Sequence, residues 1–228
     1  PVVNVNNACS SGSTALYLAR QAVLSGQVDV ALALGFEQMN PGAMSVDPNR
    51  KPMTFRLDEA MGSICGVDPN VPPGFQYFGQ AGAEYLQKYN HTPELFAQVS
   101  VKARSHAMRN PYALFQTPLT LEEVMAAPTI FGPLTRLMAC PPTCGAAAVL
   151  VVSEAYAKRH GLKADVELAG MGLATDTPTS FNSCSMINVV GADMTRRASH
   201  TAYTQAGISA SDIDVVELHD CYASNEII

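Results

Sequence analysis

The chain has 228 residues, enough for one large domain or two small ones around a packed core, which excludes a disordered tail or a mini-protein. Hydrophobic residues make up 47% and charged residues 15%, and 14 Lys plus Arg against 20 Asp plus Glu leave a net charge of −6, a balance that argues against a binder of nucleic acid or other polyanions. The longest apolar run, residues 145–152, falls well short of the roughly 18 to 20 residues of a membrane span, so a soluble protein without a span is expected.

Six cysteines, Cys9, Cys65, Cys140, Cys144, Cys184 and Cys221, are scattered through the chain with no secretory signal segment, which predicts a reducing compartment rather than a disulfide framework. Residues Val2 to Val5 read as a strand, and with Pro1 in place of Met the chain is expected to begin inside an element. At the other end Ile227 and Ile228 carry no stop signal, so an internal piece of a longer protein is expected.

From Thr14 to Leu24 the residues Ala15, Leu16, Leu18, Ala19, Ala22 and Val23 predict a buried helix that Gly26 ends. Residues 28–35 are a strand-length apolar run, giving a strand, helix, strand unit with a buried parallel sheet. Between Asn40 and Pro142 the texture turns rich in Pro, Gly and Met, with helices near Gly79 to Tyr89 and Pro93 to Met108, and reads as a large insertion. Met39, Met44, Met53 and Met61 are expected to fill core space there rather than to line an adaptable pocket. The sheet resumes at residues 145–152, followed by a helix over Glu154 to His160. A second cycle has a strand at residues 166–172, a helix over Thr195 to Ala206 and a strand from Asp214 to Leu218, with a boundary between halves near residues 158–165.

Cys9 stands between a strand and a helix, where backbone N–H groups and the positive end of the helix dipole favour a thiolate, and the small Ser10, Ser11, Gly12 and Ser13 leave room for a substrate carbonyl. An inert cysteine at a helix start fits the same position. His219-Asp220-Cys221-Tyr222 follows an apolar strand at a sheet end, where open α/β folds place ligands. It suits a proton carrier, a half-built metal site or a structural turn. Metal binding is disfavoured, because no Cys-x-x-Cys occurs and Cys140 and Cys144 lack a companion pair. His106, His160 and His200 read as solvated helix faces and His91 as a helix cap, and Gly170-x-Gly172 reads as close backbone packing rather than a dinucleotide site.

Asn4-Val5-Asn6-Asn7-Ala8-Cys9-Ser10-Ser11-Gly12-Ser13, Ala33-Leu34-Gly35-Phe36-Glu37, the segment Cys140 to Ala148 and Glu217-Leu218-His219-Asp220-Cys221-Tyr222 together resemble the thiolase superfamily, within it the sterol carrier protein X type thiolases. That resemblance implies an α/β fold of two similar βαβαβ-type halves in α/β/α/β/α layers with an inserted loop domain, incomplete at both ends. Residues 1–39 would begin the N-terminal half, 40–142 form the inserted domain, 143–160 end that half, and 161–228 open the C-terminal half. It implies an acyltransferase that cleaves 3-oxoacyl-CoA with coenzyme A, in β-oxidation of fatty acids or sterol side chains. Cys9 would be the acylated nucleophile, Cys221 the acid/base and His219 a donor to a thioester oxygen. Coenzyme A is then a substrate and no cofactor is needed; the partners are acyl-CoA, coenzyme A and a second copy of the chain. The compartment is the peroxisome for a eukaryotic source and the cytoplasm for a bacterial one.

The resemblance also places a Gly-His-Pro segment beyond the end of this chain, for which His91 is no substitute. Ala8 and Cys144 stand where relatives more often carry Asn and Asp. Two other readings are an aldolase-like lipid-transfer homologue that breaks a carbon–carbon bond without an acyl-cysteine, and a catalytically silent lipid-binding or scaffold piece. Retention of both Cys9 and Cys221 argues against the first.

Overall fold

A computed structural model of the chain describes residues 1–39, 49 and 54–228. In chain order the elements are α1 (Ser11–Leu24), β1 (Val30–Glu37), α2 (Phe55–Ile64), α3 (Pro73–Tyr89), α4 (Glu94–Ala107), α5 (Leu121–Ala126), β2 (Thr129–Phe131), β3 (Leu134–Thr135), β4 (Gly145–Val152), α6 (Glu154–Arg159), α7 (Pro178–Asn182), α8 (Met186–Val189), α9 (Ala192–Ala206) and α10 (Ala223–Ile227). The chain divides into two compact units, each assembled from separated stretches of sequence.

The first unit gathers the described parts of Pro1–Ala43, Pro142–Ala174 and Arg197–Asp214. Its helix α1 forms where the sequence predicts it, and Gly26 at φ +73° follows its end. Ala15, Leu16, Ala19 and Val23 recur at helical spacing and pack on Ala31, Ala33, Val151 and Leu168. Strand β1 pairs with β4 antiparallel, from Val30 opposite Val152 to Glu37 opposite Gly145. The parallel sheet expected from the strand, helix, strand unit of residues 2–5, 14–24 and 28–35 is corrected: residues 2–5 form no strand there, and β1 pairs instead with a segment that returns from a long excursion, so the handed βαβ connection does not apply. The sheet is also buried on one face only, since Leu32, Leu34 and Phe36 point away from α1 and are exposed. Residues 2–5, 166–172 and 214–218, expected as strands, carry no ladder among the described residues.

Gly170 and Gly172 do pack backbone to backbone, as their spacing predicts. A Cβ built on either would fall inside the radius of a carbonyl oxygen of α9, that of Ala202 for Gly170 and that of Ala198 for Gly172. At the end of the strand pair where β1 begins and β4 ends, Asp29 accepts from the Ser153 hydroxyl at 2.8 Å and from Arg159 at 3.2 Å, and these hold its carboxyl below the usual carboxylate range.

The second unit gathers the described parts of Met44–Pro141 with Thr175–Arg196 and Val215–Ile228. Its larger core joins Leu86, Phe96, Ala97, Val99, Val124, Leu134, Met138 and Ala223. A second cluster joins Ala60, Met61, Tyr77, Ala81, Met186 and Val189. Met61 fills core space as expected, while Met44 and Met53 lie outside the described residues. Helix α3 is the spine of this unit, and its buried polar residues are all satisfied. The Gln76 amide donates to the carbonyls of Asp68 and Val71 at 2.8 and 2.6 Å and accepts from the Asp68 N–H at 2.9 Å. Glu84 accepts from the Ser185 hydroxyl at 2.5 Å and from the Met186 N–H at 2.6 Å, tying α8 to α3. Helix α5 opens with a capping box between Thr120 and Glu123.

Replacing Gly172 by Ala is expected to destabilise the first unit by about 1–3 kcal/mol through overpacking against Ala198. For a chain of this size that is a fall of about 2–4 °C in melting temperature for each kcal/mol. Thermal denaturation followed by circular dichroism checks it, and an unchanged midpoint would contradict the close approach.

Candidate active site

Cys9 sits on the turn that leads into α1, one residue before the Ser10 cap, with its side chain exposed. The turn is made by Ala8, whose φ of +45° lies in the left-handed region that costs a side chain with a Cβ roughly 1–2 kcal/mol. Local polar side chains hold it there. The Ser11 hydroxyl donates to the Ala8 carbonyl at 2.7 Å and accepts from the Asn7 N–H at 2.8 Å, so one side chain bridges both sides of the strained residue. The Ser10 N–H donates to the Asn7 carbonyl at 2.9 Å, the Ala8 N–H to Asn6 Oδ1 at 3.3 Å, and the Asn7 side-chain amide to Thr14 Oγ1 at 3.1 Å. The small polar residues around Cys9 therefore do more than leave space: they build the turn. Cys144, in the same unit, accepts the Met39 N–H on its sulfur at 3.3 Å, a weak acceptor where relatives are expected to place a carboxylate.

His219, Asp220 and Cys221 are consecutive residues of the second unit and make the turn that leads into α10. Cys9 belongs to the first unit. His219 is exposed and Cys221 half-buried. Five attachments fix this turn. Tyr222 stacks on Phe78 with ring centroids 4.8 Å apart and meets Phe75 edge-on at 5.9 Å. The fully buried Ser224 hydroxyl donates to the Phe78 carbonyl at 3.1 Å. The Asn225 amide reaches back to the His219 carbonyl at 2.7 Å. The Cys140 N–H donates to the Cys221 carbonyl at 2.9 Å. Lys102 and Glu226 form an ion pair just beyond.

Asn225, Ser224 and Cys140 are supports of this turn that sequence reasoning missed. An Asn three residues past the motif, at the start of a helix, is the signal that could have found the first, because short amide side chains bond nearby backbone. Nothing in residue type marks Cys140, whose contribution is a backbone N–H. The remaining histidines behave as expected for His106, His160 and His200, which are exposed on or at the ends of helices. His91 differs in detail. Its N–H closes the end of α3 on the Leu86 carbonyl at 2.9 Å, and Pro93 rather than His91 is the cap of α4. Among the described residues no group of three or more potential metal ligands occurs. The Cys65 thiol is pushed up by burial and by the nearby Glu84.

Asp220 is half-buried, and its Oδ1 has no hydrogen-bond partner among the described residues. Burial first, and repulsion from Glu226 second, push its carboxyl up to about 6, with Lys102 and a bond from the Glu226 backbone opposing the rise. A carboxyl raised in the folded state stabilises the fold when protonated. That contribution is full below the unfolded value of 3.8 and is lost as pH rises through about 6. Asp220→Asn is therefore expected to raise the melting temperature at pH 7.5 relative to the parent, with the gain vanishing toward pH 4. A gain that does not change between pH 4 and pH 7.5 would contradict this origin.

The family described as "Thiolase, N-terminal domain" matches residues 1–155, and "Thiolase C-terminal domain-like" matches residues 176–228. Sterol carrier protein 2 of Bos taurus is 44% identical over 231 residues, a match that takes in 100% of this chain and 42% of that protein, so the chain spans less than half of this relative's length. Two solved structures share the fold: the Ltp2-ChsH2(DUF35) aldolase, with TM-score 0.67 and 23% identity over 94% of this chain and 54% of its own, and the dimeric peroxisomal thiolase of Saccharomyces cerevisiae, with TM-score 0.65 and 20% identity over 96% of this chain and 57% of its own. No described helix is long and apolar enough to cross a membrane. With both thiolase domains matched in order along most of its length, the chain belongs to the thiolase family and has that family's α/β fold.

Proposed function

We propose that the protein is a thiolase that cleaves 3-oxoacyl-CoA with coenzyme A through an acyl-cysteine on Cys9. The observation that carries this reading is the turn at Ala8 and Cys9: a left-handed residue, locked by Ser11 and Asn7, presents an exposed thiol at the start of a 14-residue helix. Such a turn is a costly way to place an inert cysteine and a direct way to present a nucleophile.

In the first half-reaction the Cys9 thiolate adds to the 3-keto carbon, and the carbonyl oxygen becomes an oxyanion. The oxyanion collapses, the bond between C2 and C3 breaks, and the C3 acyl group stays on the Cys9 sulfur. The leaving fragment is an enolate of a shorter acyl-CoA, which takes a proton from the Cys221 thiol. In the second half the Cys221 thiolate removes the proton of coenzyme A. The coenzyme A thiolate adds to the acyl-Cys9 carbonyl, and the Cys9 thiolate leaves. The backbone N–H of Cys9 and the side chain of His219 serve as donors to the developing oxyanions. Coenzyme A is a substrate throughout, and no cofactor enters.

His219 and Cys221 support this assignment because the Asn225 amide and the Cys140 N–H hold their carbonyls and the adjoining Tyr222 and Ser224 are seated on α3, since an acid/base group must keep its place through both halves. We assign the residue 40–142 insertion to covering the coenzyme A and acyl chain, and the assembly to a homodimer, a reading supported by the dimeric state of the yeast neighbour. The place of work is the peroxisome in a eukaryotic host and the cytoplasm in a bacterial one, in the thiolytic step of fatty-acid or sterol side-chain β-oxidation.

Intact-mass spectrometry after incubation with a 3-oxoacyl-CoA tests the reading. An adduct with the mass of the shortened acyl group is expected on Cys9, absent in Cys9→Ala and discharged by coenzyme A. Cys221→Ser is expected to slow turnover by about 10²–10⁴-fold, the ordinary contribution of a general acid/base. Carbon–carbon cleavage without any acyl adduct would overturn the proposal in favour of aldolase chemistry.

A further inference from the structure

We propose that Cys140 and Cys221 form a reversible cross-strand disulfide that takes the Cys221 thiol out of use. Ala139 and Tyr222 are opposite each other in an antiparallel bridge, and one step along it the Cys140 N–H donates to the Cys221 carbonyl at 2.9 Å. Cys140 therefore faces Cys221 directly, and facing residues of an antiparallel pair project to the same side. The Cα spacing of a hydrogen-bonded pair, about 5.5 Å, lies inside the range of about 4.4–6.8 Å that disulfides span. Its Cβ spacing, about 4.5–5.5 Å, is wider than the disulfide mean of about 3.8 Å, so the bond closes under some tension and reopens readily.

The surroundings fix this register. On one side Cys140 is followed by Pro141 and Pro142, whose rings restrict the backbone. On the other, Tyr222, Ser224 and Asn225 hold the segment against α3 and against its own turn. Cys140 is exposed and Cys221 half-buried, so a small oxidant reaches the pair without unfolding.

The oxidant is a low-molecular-weight disulfide such as oxidised glutathione. The Cys140 thiolate attacks one of its sulfurs, the glutathione disulfide bond breaks, and one glutathione thiolate leaves. The Cys221 thiolate then attacks the Cys140 sulfur and expels the second. The two protons of the cysteine thiols end on the two glutathiones, so the protein loses two hydrogens and the oxidant gains them. The effect on acyl transfer rests on the role proposed above for Cys221; the pairing itself does not.

The test places the protein in glutathione buffers of increasing oxidised fraction, blocks remaining thiols and maps the peptides by mass. The expected result is a linked peptide pair joining Cys140 to Cys221, lost on return to reduced glutathione. Acyl transfer is expected to fall as the link forms and to recover with it, and Cys140→Ser is expected to keep its activity in the oxidised buffer. Cys221 found only as a glutathione adduct, or linked to a different cysteine, would overturn the proposal. A fully reduced protein with no acyl transfer would sink the thiolytic reading alone, and the peptide map would still decide the pairing.

Discussion

Tyr222 lies between Phe75 and Phe78 of helix α3, and the polar attachments of the His219 to Cys221 turn depend on that seat. Two aromatic contacts of this kind supply roughly 0.5–1.5 kcal/mol each beyond the area they bury. They also set the direction of the chain. With the ring seated, the next turn places the Ser224 hydroxyl under the Phe78 carbonyl and brings the Asn225 amide within reach of His219. Each of those bonds is modest alone, at about 0.5–1.5 kcal/mol, but losing the partner of a buried group such as Ser224 costs more. The turn is thus ordered by a core contact and only then refined by hydrogen bonds.

The turn at Cys9 is built on the opposite principle. Among the described residues no aromatic anchors it, and its shape is set by short side chains bonding to the backbone within a few residues, Ser11 above all. Its strain falls on Ala8, which takes a backbone shape that Asn adopts more easily. The resemblance places Asn at this position in relatives, and the left-handed φ gives that preference a physical reason. In this chain the neighbouring Ser11 and Asn6 supply bonds that hold an alanine there instead.

Local signals were legible in the sequence, and pairings between distant segments were not. Helix α1 could be read because Ala15, Ala19 and Val23 recur at helical spacing and Gly26 follows. Strands β1 and β4 could be read as strands from their length and apolar content, yet their antiparallel pairing could not, because direction depends on the path of the intervening chain. Residues 166–172 and 214–218 carry the same apolar signal without a ladder, since a strand is a relation between segments and apolar content states only one side of it. The site divides in the same way. Cys9, His219 and Cys221 stood out by residue type, whereas Cys140 supports the turn through its main chain, and main-chain atoms leave no trace in composition.

Each compact unit is assembled from stretches that alternate along the sequence, and this bears on how the chain is made. Strand β1 leaves a ribosome long before β4, and the glycines at 170 and 172 precede the part of α9 they pack against. Until β4 emerges, β1 has the cover of α1 but no ladder, the condition under which nascent strands associate with the wrong partner. Pairings of such long sequence separation close slowly. The first unit is consequently the part of the molecule whose yield is expected to depend most on chaperones and on the pace of translation.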